Sequence, residues 1–181
     1  MAHRLGVNDR LPRLAAAQAE RANPLYRAYR GGFGALEPQT AGATAATAIR
    51  IGNPVSYERA VRALQQFDGV VEQATEDELA DAAALADRAG LYACPHTGVA
   101  LAITGKLARQ GVIGVDERVV VISTAHGLKF NEFKVGYHEG TLADVTARYR
   151  NPPVELPADP DAVRRAVDGW LATNFTNERR Y

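Results

Sequence analysis

The residues Ser123-Thr124-Ala125-His126-Gly127-Leu128-Lys129-Phe130 put two hydroxyls, an imidazole, a glycine and an ammonium directly after the apolar run Val119-Val-Val-Ile122. Such a cluster can bind a polar ligand, or its hydroxyls can simply satisfy the backbone where a strand ends. Ser123 and His126 have the types of a nucleophile and its base. No Gly-x-Ser-x-Gly elbow surrounds the serine and no orienting carboxylate is identified, so a hydrolase is weakly supported. Cys94-Pro-His96 and the pair His126 and His138 come nearest to metal-ligand spacing, but neither matches Cys-x-x-Cys or His-Glu-x-x-His, and no metal site is assigned. Gly31-Gly-Phe-Gly34 offers backbone N–H groups to a phosphate, yet a loose glycine cluster after a helix reads as a turn. The tail Glu178-Arg-Arg-Tyr181 reads as a solvated end.

The elements that must position these groups alternate in type. Leu14-Ala-Ala-Ala-Gln18 is strand-length. Asn23-Pro24 opens a helix, because Asn can cap free N–H groups and Pro fits the first turn, and Gly31-Gly32 ends it. Thr40 to Thr47 is small and polar, a poor core builder, and is expected as a loop or a ligand-facing stretch. Ala60, Val61, Leu64 and Phe67 form a helical stripe, and Asp68-Gly69 turns the chain into a strand at Val70-Val71. Thr75 and Glu78 make a capping box ahead of Leu79, Ala82, Ala83 and Ala86, and Gly90 closes that helix. Pro95 precedes a further helix carried by Val99, Ala100, Ile103 and Leu107, which stops at Gly111. Val119 to Ile122 is continuously apolar, as in a parallel strand covered on both faces. Asn151-Pro-Pro153 and Leu156-Pro157 read as an extended connector to a last helix, opened by Asp159-Pro160 and striped by Val163, Ala166, Val167, Trp170 and Leu171. The expected fold is α/β in three layers, a mostly parallel sheet with helices on both faces.

Composition narrows the partners. The 181 residues carry 21 Lys+Arg against 21 Asp+Glu, with 46% hydrophobic residues, values ordinary for one globular domain. The 18 Arg and 3 Lys are scattered among equal acids, which disfavours nucleic acid and an acidic membrane surface and leaves a small ligand as the better expectation. Cys94 is alone, so no internal disulfide forms. No apolar run approaches the ~20 residues of a membrane span and no apolar segment follows Met1-Ala-His-Arg, so a cytoplasmic protein is expected.

Taken together, Ala46-Thr-Ala-Ile-Arg-Ile-Gly-Asn-Pro-Val-Ser56, Cys94-Pro-His-Thr-Gly-Val-Ala-Leu101 and Ile122-Ser-Thr-Ala-His-Gly-Leu-Lys-Phe130 resemble the threonine synthases, pyridoxal-phosphate enzymes of the tryptophan-synthase-β fold type. Ala17 to Tyr26, Gly69 to Thr75 and Asn151 to Val154 are similar to the plant-like branch of that family. The likeness runs over roughly residues 10 to 172 and covers only the carboxyl-terminal part of such an enzyme. It implies a partial fold type II domain, with residues 1–150 belonging to the cofactor-binding catalytic domain and 151–181 forming a connector and helix packed on it. It also implies the conversion of O-phosphohomoserine and water to threonine and phosphate, with pyridoxal 5'-phosphate as electron sink.

Two cofactor-binding residues follow from the resemblance. The family's threonine hydroxyl that hydrogen-bonds the pyridine nitrogen falls on Thr124; such a neutral partner orients the ring without holding the nitrogen protonated. The Ala-Ile-Arg-Ile-Gly segment runs beside the cofactor and brings Ala48 near the ring face, where plain tight packing explains a small residue equally well. No catalytic residue is assigned. The family's Schiff-base lysine and its glycine-asparagine phosphate loop lie upstream of the matched region. Lys106 is expected to face solvent, Lys134 to sit in a polar loop, and Lys129 is the motif lysine rather than the Schiff-base residue. Cys94 stands where other branches carry Glu, so that residue's role is not carried over. The expected partner is therefore the missing amino-terminal portion or a split chain supplying it, and a homodimer is compatible. The alternatives are another fold type II enzyme, a serine/threonine dehydratase or a cysteate synthase, or a noncatalytic remnant that binds a partner chain through a large apolar patch.

Overall fold

A computed structural model describes residues 3–7 and 9–175, and the Arg-rich tail lies outside them. The chain forms two compact units, residues 1–151 and 152–181. In the first, β1 (Ala15–Ala19) is followed by α1 (Pro24–Arg30), α2 (Tyr57–Gln66), β2 (Val70–Ala74), α3 (Glu76–Arg88), α4 (Pro95–Arg109) and α5 (Asn131–Glu139). β1 and β2 pair in parallel, with Ala15 opposite Val70 and Ala19 opposite Ala74. The α/β class and the parallel direction agree with the sequence. The second unit contains α6 (Pro160–Phe175), on which Val163, Val167 and Trp170 are exposed.

The boundaries follow from the expected chemistry. Thr75 Oγ1 accepts the Glu78 N–H at 3.2 Å while Glu78 returns a carboxylate oxygen to the Thr75 N–H at 2.9 Å, so the start of α3 has its free donors satisfied. Asp68 turns in the left-handed region, at φ 47°, and a Cβ on Gly69 would lie 2.5 Å from Leu64 Cδ2. Only glycine lets the chain leave α2 and enter β2 in so little space.

The core is built where α3 and α4 cross the strand pair. Ala19, Ala74, Leu79, Ala83, Val99, Ile103 and Leu107 are buried there, joined by Phe133 and Tyr137 from α5. Burying each large aliphatic side chain is worth about 1.5–3 kcal/mol. The two helices approach closely because position 98 lacks a side chain: a Cβ there would collide with the Leu79 carbonyl oxygen and sit 3.2 Å from Ala83 Cβ. A buried polar seam crosses the same region. Tyr137 donates its hydroxyl to Asp81 Oδ1 at 2.6 Å and accepts the Tyr149 N–H at 3.0 Å.

Three expectations need correction. Residues Val119 to Ile122 form no strand and have no strand partner among the described residues; Val120 is 88% and Ile122 78% exposed. A strand exists through its neighbours' hydrogen bonds, and β1 and β2, the two strands described, pair with each other. The sheet is accordingly two strands wide rather than a broad layer. Lys106 does not face solvent freely: its ammonium donates to the Gln73 carbonyl at 2.7 Å and to Glu78 Oε2 at 2.9 Å. Lys134 is not in a loop but on α5, 3% exposed, with both Asp87 carboxylate oxygens at 2.7–2.8 Å and the Tyr92 ring centroid 4.8 Å from its Nζ.

Candidate functional site

The amino end of α4 is the point on which the distinctive segments meet. Cys94 is its N-cap and accepts the Thr97 N–H on Sγ at 3.4 Å, while Pro95, at the first helical position, needs no partner for a missing N–H. Cys94 and Thr97 are buried. From them a row of hydroxyl and thiol groups runs outward. Thr97 Oγ1 lies 3.2 Å from both Cys94 Sγ and Ser123 Oγ, and Thr124 Oγ1 lies 3.9 Å from Cys94 Sγ. Burial pushes the thiol up, but hydrogen bonds from the Thr97 hydroxyl and N–H, the Thr124 hydroxyl and the Ala125 N–H outweigh it and hold Cys94 below the ordinary thiol range.

The segment carrying Ser123 and Thr124 is pinned by its far end. His126 pairs with Ala93 in an isolated antiparallel bridge, and the Gly127 N–H donates to the Tyr92 carbonyl at 2.8 Å. A side chain at Gly127 would press within 2.7 Å of the Tyr92 ring and 2.9 Å of Lys134 Cε. His126 Nδ1 accepts the Leu128 N–H at 3.2 Å and thereby caps the short 3-10 turn Gly127–Phe130. That bond occupies Nδ1, the Ser123 hydroxyl contacts Thr97, and among the described residues no hydrogen bond joins Ser123 to His126, so the nucleophile pair weighed from sequence is not assembled.

The third segment arrives through His96. Its Nε2 accepts the Ala48 N–H at 2.9 Å, and its ring meets the Phe130 ring edge-on with centroids 5.1 Å apart. One imidazole thus touches all three motifs. Burial lowers the His96 pKa, which favours the neutral ring that such an acceptor requires. Ala48 and Thr124 are exposed, as are Thr47 and Ser123. Lys129 is exposed as well, and among the described residues no ion pair engages its ammonium.

The resemblance to the threonine synthases pointed to Thr124 and Ala48, whereas His96 entered only as a metal candidate and Glu76 not at all. The signal for His96 was its place on the first turn after a Cys-Pro cap, where side chains can reach a neighbouring loop. Chemically, the arrangement offers neutral, exposed hydrogen-bonding groups at Ser123 and Thr124 and an exposed small-residue turn tied to α4 through His96.

These features lie in an α/β domain whose family is shown by comparison: residues 1–125 match the model of the pyridoxal-phosphate dependent enzymes, and the chain belongs to that family. Its sequence is 50% identical to threonine synthase 2, chloroplastic, of Arabidopsis thaliana over 96% of this chain and 34% of that protein. It is 37% identical to the threonine synthase of Methanosarcina acetivorans, over 91% of this chain and 38% of the relative. The threonine synthase of Methanocaldococcus jannaschii is 33% identical, over 90% and 37% respectively. The chain therefore spans about a third of the length of the curated relatives it matches, and it corresponds to their carboxyl-terminal part. Among the described residues no helix is long and apolar enough to cross a membrane.

Proposed function

We propose that this chain is the carboxyl-terminal part of an enzyme that converts O-phosphohomoserine and water to threonine and phosphate with pyridoxal 5'-phosphate. The observation that carries the reading is the meeting of three distant segments at the amino end of α4, where the exposed Thr124 hydroxyl ends the row and, among the described residues, has a 3.9 Å contact with Cys94 Sγ as its side-chain partner. That hydroxyl has hydrogen-bonding capacity to spare for a ring nitrogen.

When bound, the cofactor supplies an electron sink for carbanions formed on the substrate. The residues here would hold the nitrogen end of its ring. Thr124 would orient the nitrogen as a neutral partner; Cys94, itself bonded to Thr97, would steady that hydroxyl; Ala48, exposed and without bulk, would leave room for the ring. The fit is to this end alone. Lys106 and Lys134 have their ammonium groups engaged by Glu78 and Asp87, and Lys129 lies in the 3-10 turn after the hydroxyl row. In this reading the cofactor's tether and phosphate anchor come from an upstream polypeptide, as a missing amino-terminal portion or a split partner, and the chain alone is inactive. Residues 1–150 and 151–181 are then parts of one catalytic domain, a homodimer is compatible, and the cytoplasm is the proposed location.

The exposed run Val119 to Ile122 suits such an upstream partner, and it suits a noncatalytic remnant equally, so reconstitution decides. The chain is produced together with the upstream two thirds of the Arabidopsis relative, and pyridoxal phosphate absorbance and threonine formation are measured. The expected result is cofactor binding and turnover, with threonine rather than a 2-oxo acid or cysteate as product. Thr124→Val should lower kcat roughly tenfold or more, the loss of one hydrogen bond of about 1.4 kcal/mol, while Thr124→Ser retains activity. A well-folded complex that binds no cofactor would refute the reading.

A further inference from the structure

The turn that carries Ala48 is composed of small residues. Thr44-Ala-Ala-Thr-Ala48 has no side chain larger than threonine, and only Thr44 and Ala46 are buried. Ala46 reaches the core and Ala45 packs against it, but side chains this small fix a backbone weakly, and hydrogen bonds to the backbone add to the hold. Its amide groups show how. Thr47 N–H, Ile49 N–H and Arg50 N–H donate to backbone carbonyls of the turn itself, at 2.9, 3.1 and 3.2 Å. Ala46 N–H donates to Thr44 Oγ1 at 3.2 Å. The other two reach outside: Ala45 N–H donates to Glu76 Oε2 at 2.9 Å, and Ala48 N–H to His96 Nε2 at 2.9 Å.

Both outside partners stand on the first turn of a helix, Glu76 on α3 and His96 on α4. Glu76 is 7% exposed, and its second oxygen, Oε1, is buried without a hydrogen-bond partner among the described residues. A carboxylate kept so deep for a single N–H contact is costly unless that contact matters. The helix start partly offsets the cost, since the N-terminal dipole favours a negative charge. At His96 the accepting nitrogen must be unprotonated, so a neutral ring carries its hydrogen on Nδ1.

We infer that Glu76 and His96 are positioning residues, two acceptors that grip the Ala45 and Ala48 amides and hold this turn at the distance from α4 that leaves room for a planar ligand beside Thr124. The inference rests on the proposed cofactor site and adds to it the groups that fix one of its walls. Neither residue touches a ligand in this scheme; each acts through the turn.

The test separates the grip from its consequence. Amide hydrogen exchange by NMR on this chain reads the grip: His96→Phe keeps an aromatic ring against Phe130 but removes the acceptor, and the Ala48 amide should exchange about tenfold faster, as expected for one lost hydrogen bond. His96→Gln returns an acceptor and should restore protection. Glu76→Gln, whose amide oxygen still accepts, should leave Ala45 protected, and Glu76→Leu should not. In the complex with the upstream polypeptide, His96→Phe should weaken pyridoxal phosphate binding at least fivefold with recovery in His96→Gln. Unchanged Ala48 exchange in His96→Phe, or faster exchange with undiminished cofactor binding, would overturn the inference. Failure of the wild-type complex to bind cofactor would instead remove the functional reading on which it rests.

Discussion

Removing the ammonium of Lys134 should cost this domain a large part of its stability. The side chain reaches across from α5 to Asp87 on α3, with both carboxylate oxygens at 2.7–2.8 Å, and the side chains of the pair are only 4% and 12% exposed. Asp87 Oδ1 also accepts the Ala93 N–H at 3.2 Å, so the pair steadies the residue next to Cys94. In Lys134→Met the packing volume of the stem is nearly kept, but a buried carboxylate is left with one backbone donor. Breaking a buried pair from one side costs about 3–5 kcal/mol, against a total stability of roughly 5–15 kcal/mol for a domain. In urea, where the slope is about 1–3 kcal/mol per molar, the unfolding midpoint should fall by on the order of 2 M. Circular dichroism at 222 nm reads the transition, and near-ultraviolet signals from Tyr92 and Tyr137 show whether the local packing fails with it. The double variant Lys134→Met/Asp87→Leu should recover much of the loss, because no charge is then stranded. A single variant within about 1 kcal/mol of the parent would refute the argument that the pair is desolvated and mutually dependent.

Two further outcomes follow from the packing and the titrations. Gly98→Ala forces a methyl onto the Leu79 carbonyl and should destabilise the domain by about 1–3 kcal/mol, seen as a lower melting temperature, even though alanine is the better helix former. Burial lowers the pKa of both His96 and His138, so their unfolded forms take up protons first. Stability should therefore begin to fall as pH drops below about 6.5 and keep falling until the folded-state values are passed, and His96→Gln should flatten that slope in a pH series of urea melts.

The helices α1 to α4 were legible because each is written locally. The Thr75-Glu78 box and the Asp68-Gly69 turn are contacts between residues a few positions apart, and short-range sequence carries them; at the start of α1 Pro24 takes the expected first position, but the Asn23 side chain caps nothing there and bonds Gln73 and Gln39 instead. What failed to show depends on distant partners. Asn131–Glu139 did not read as a helix because Lys134 sits on its buried face; only Asp87, on another helix, makes that placement tolerable. Lys106 looked solvent-bound until Glu78 and the Gln73 carbonyl stood beside it. Val119 to Ile122 has the composition of a covered strand, but composition states a preference and not a partner. Of the candidate site, Thr124 and Ala48 were found through a motif likeness. The link between the Ala48 amide and His96, far apart in sequence, was beyond any spacing rule.

An exposed row of valine and isoleucine with no strand partner among the described residues is also a template for whatever extended peptide arrives first, a second copy of itself included. Asp116, Glu117 and Arg118 stand immediately before the row, and charges in that position slow stacking into fibrils without abolishing the template. Shelf life in a concentrated preparation is then set by how quickly that bare edge is occupied, and a short peptide that caps it should keep the preparation clear.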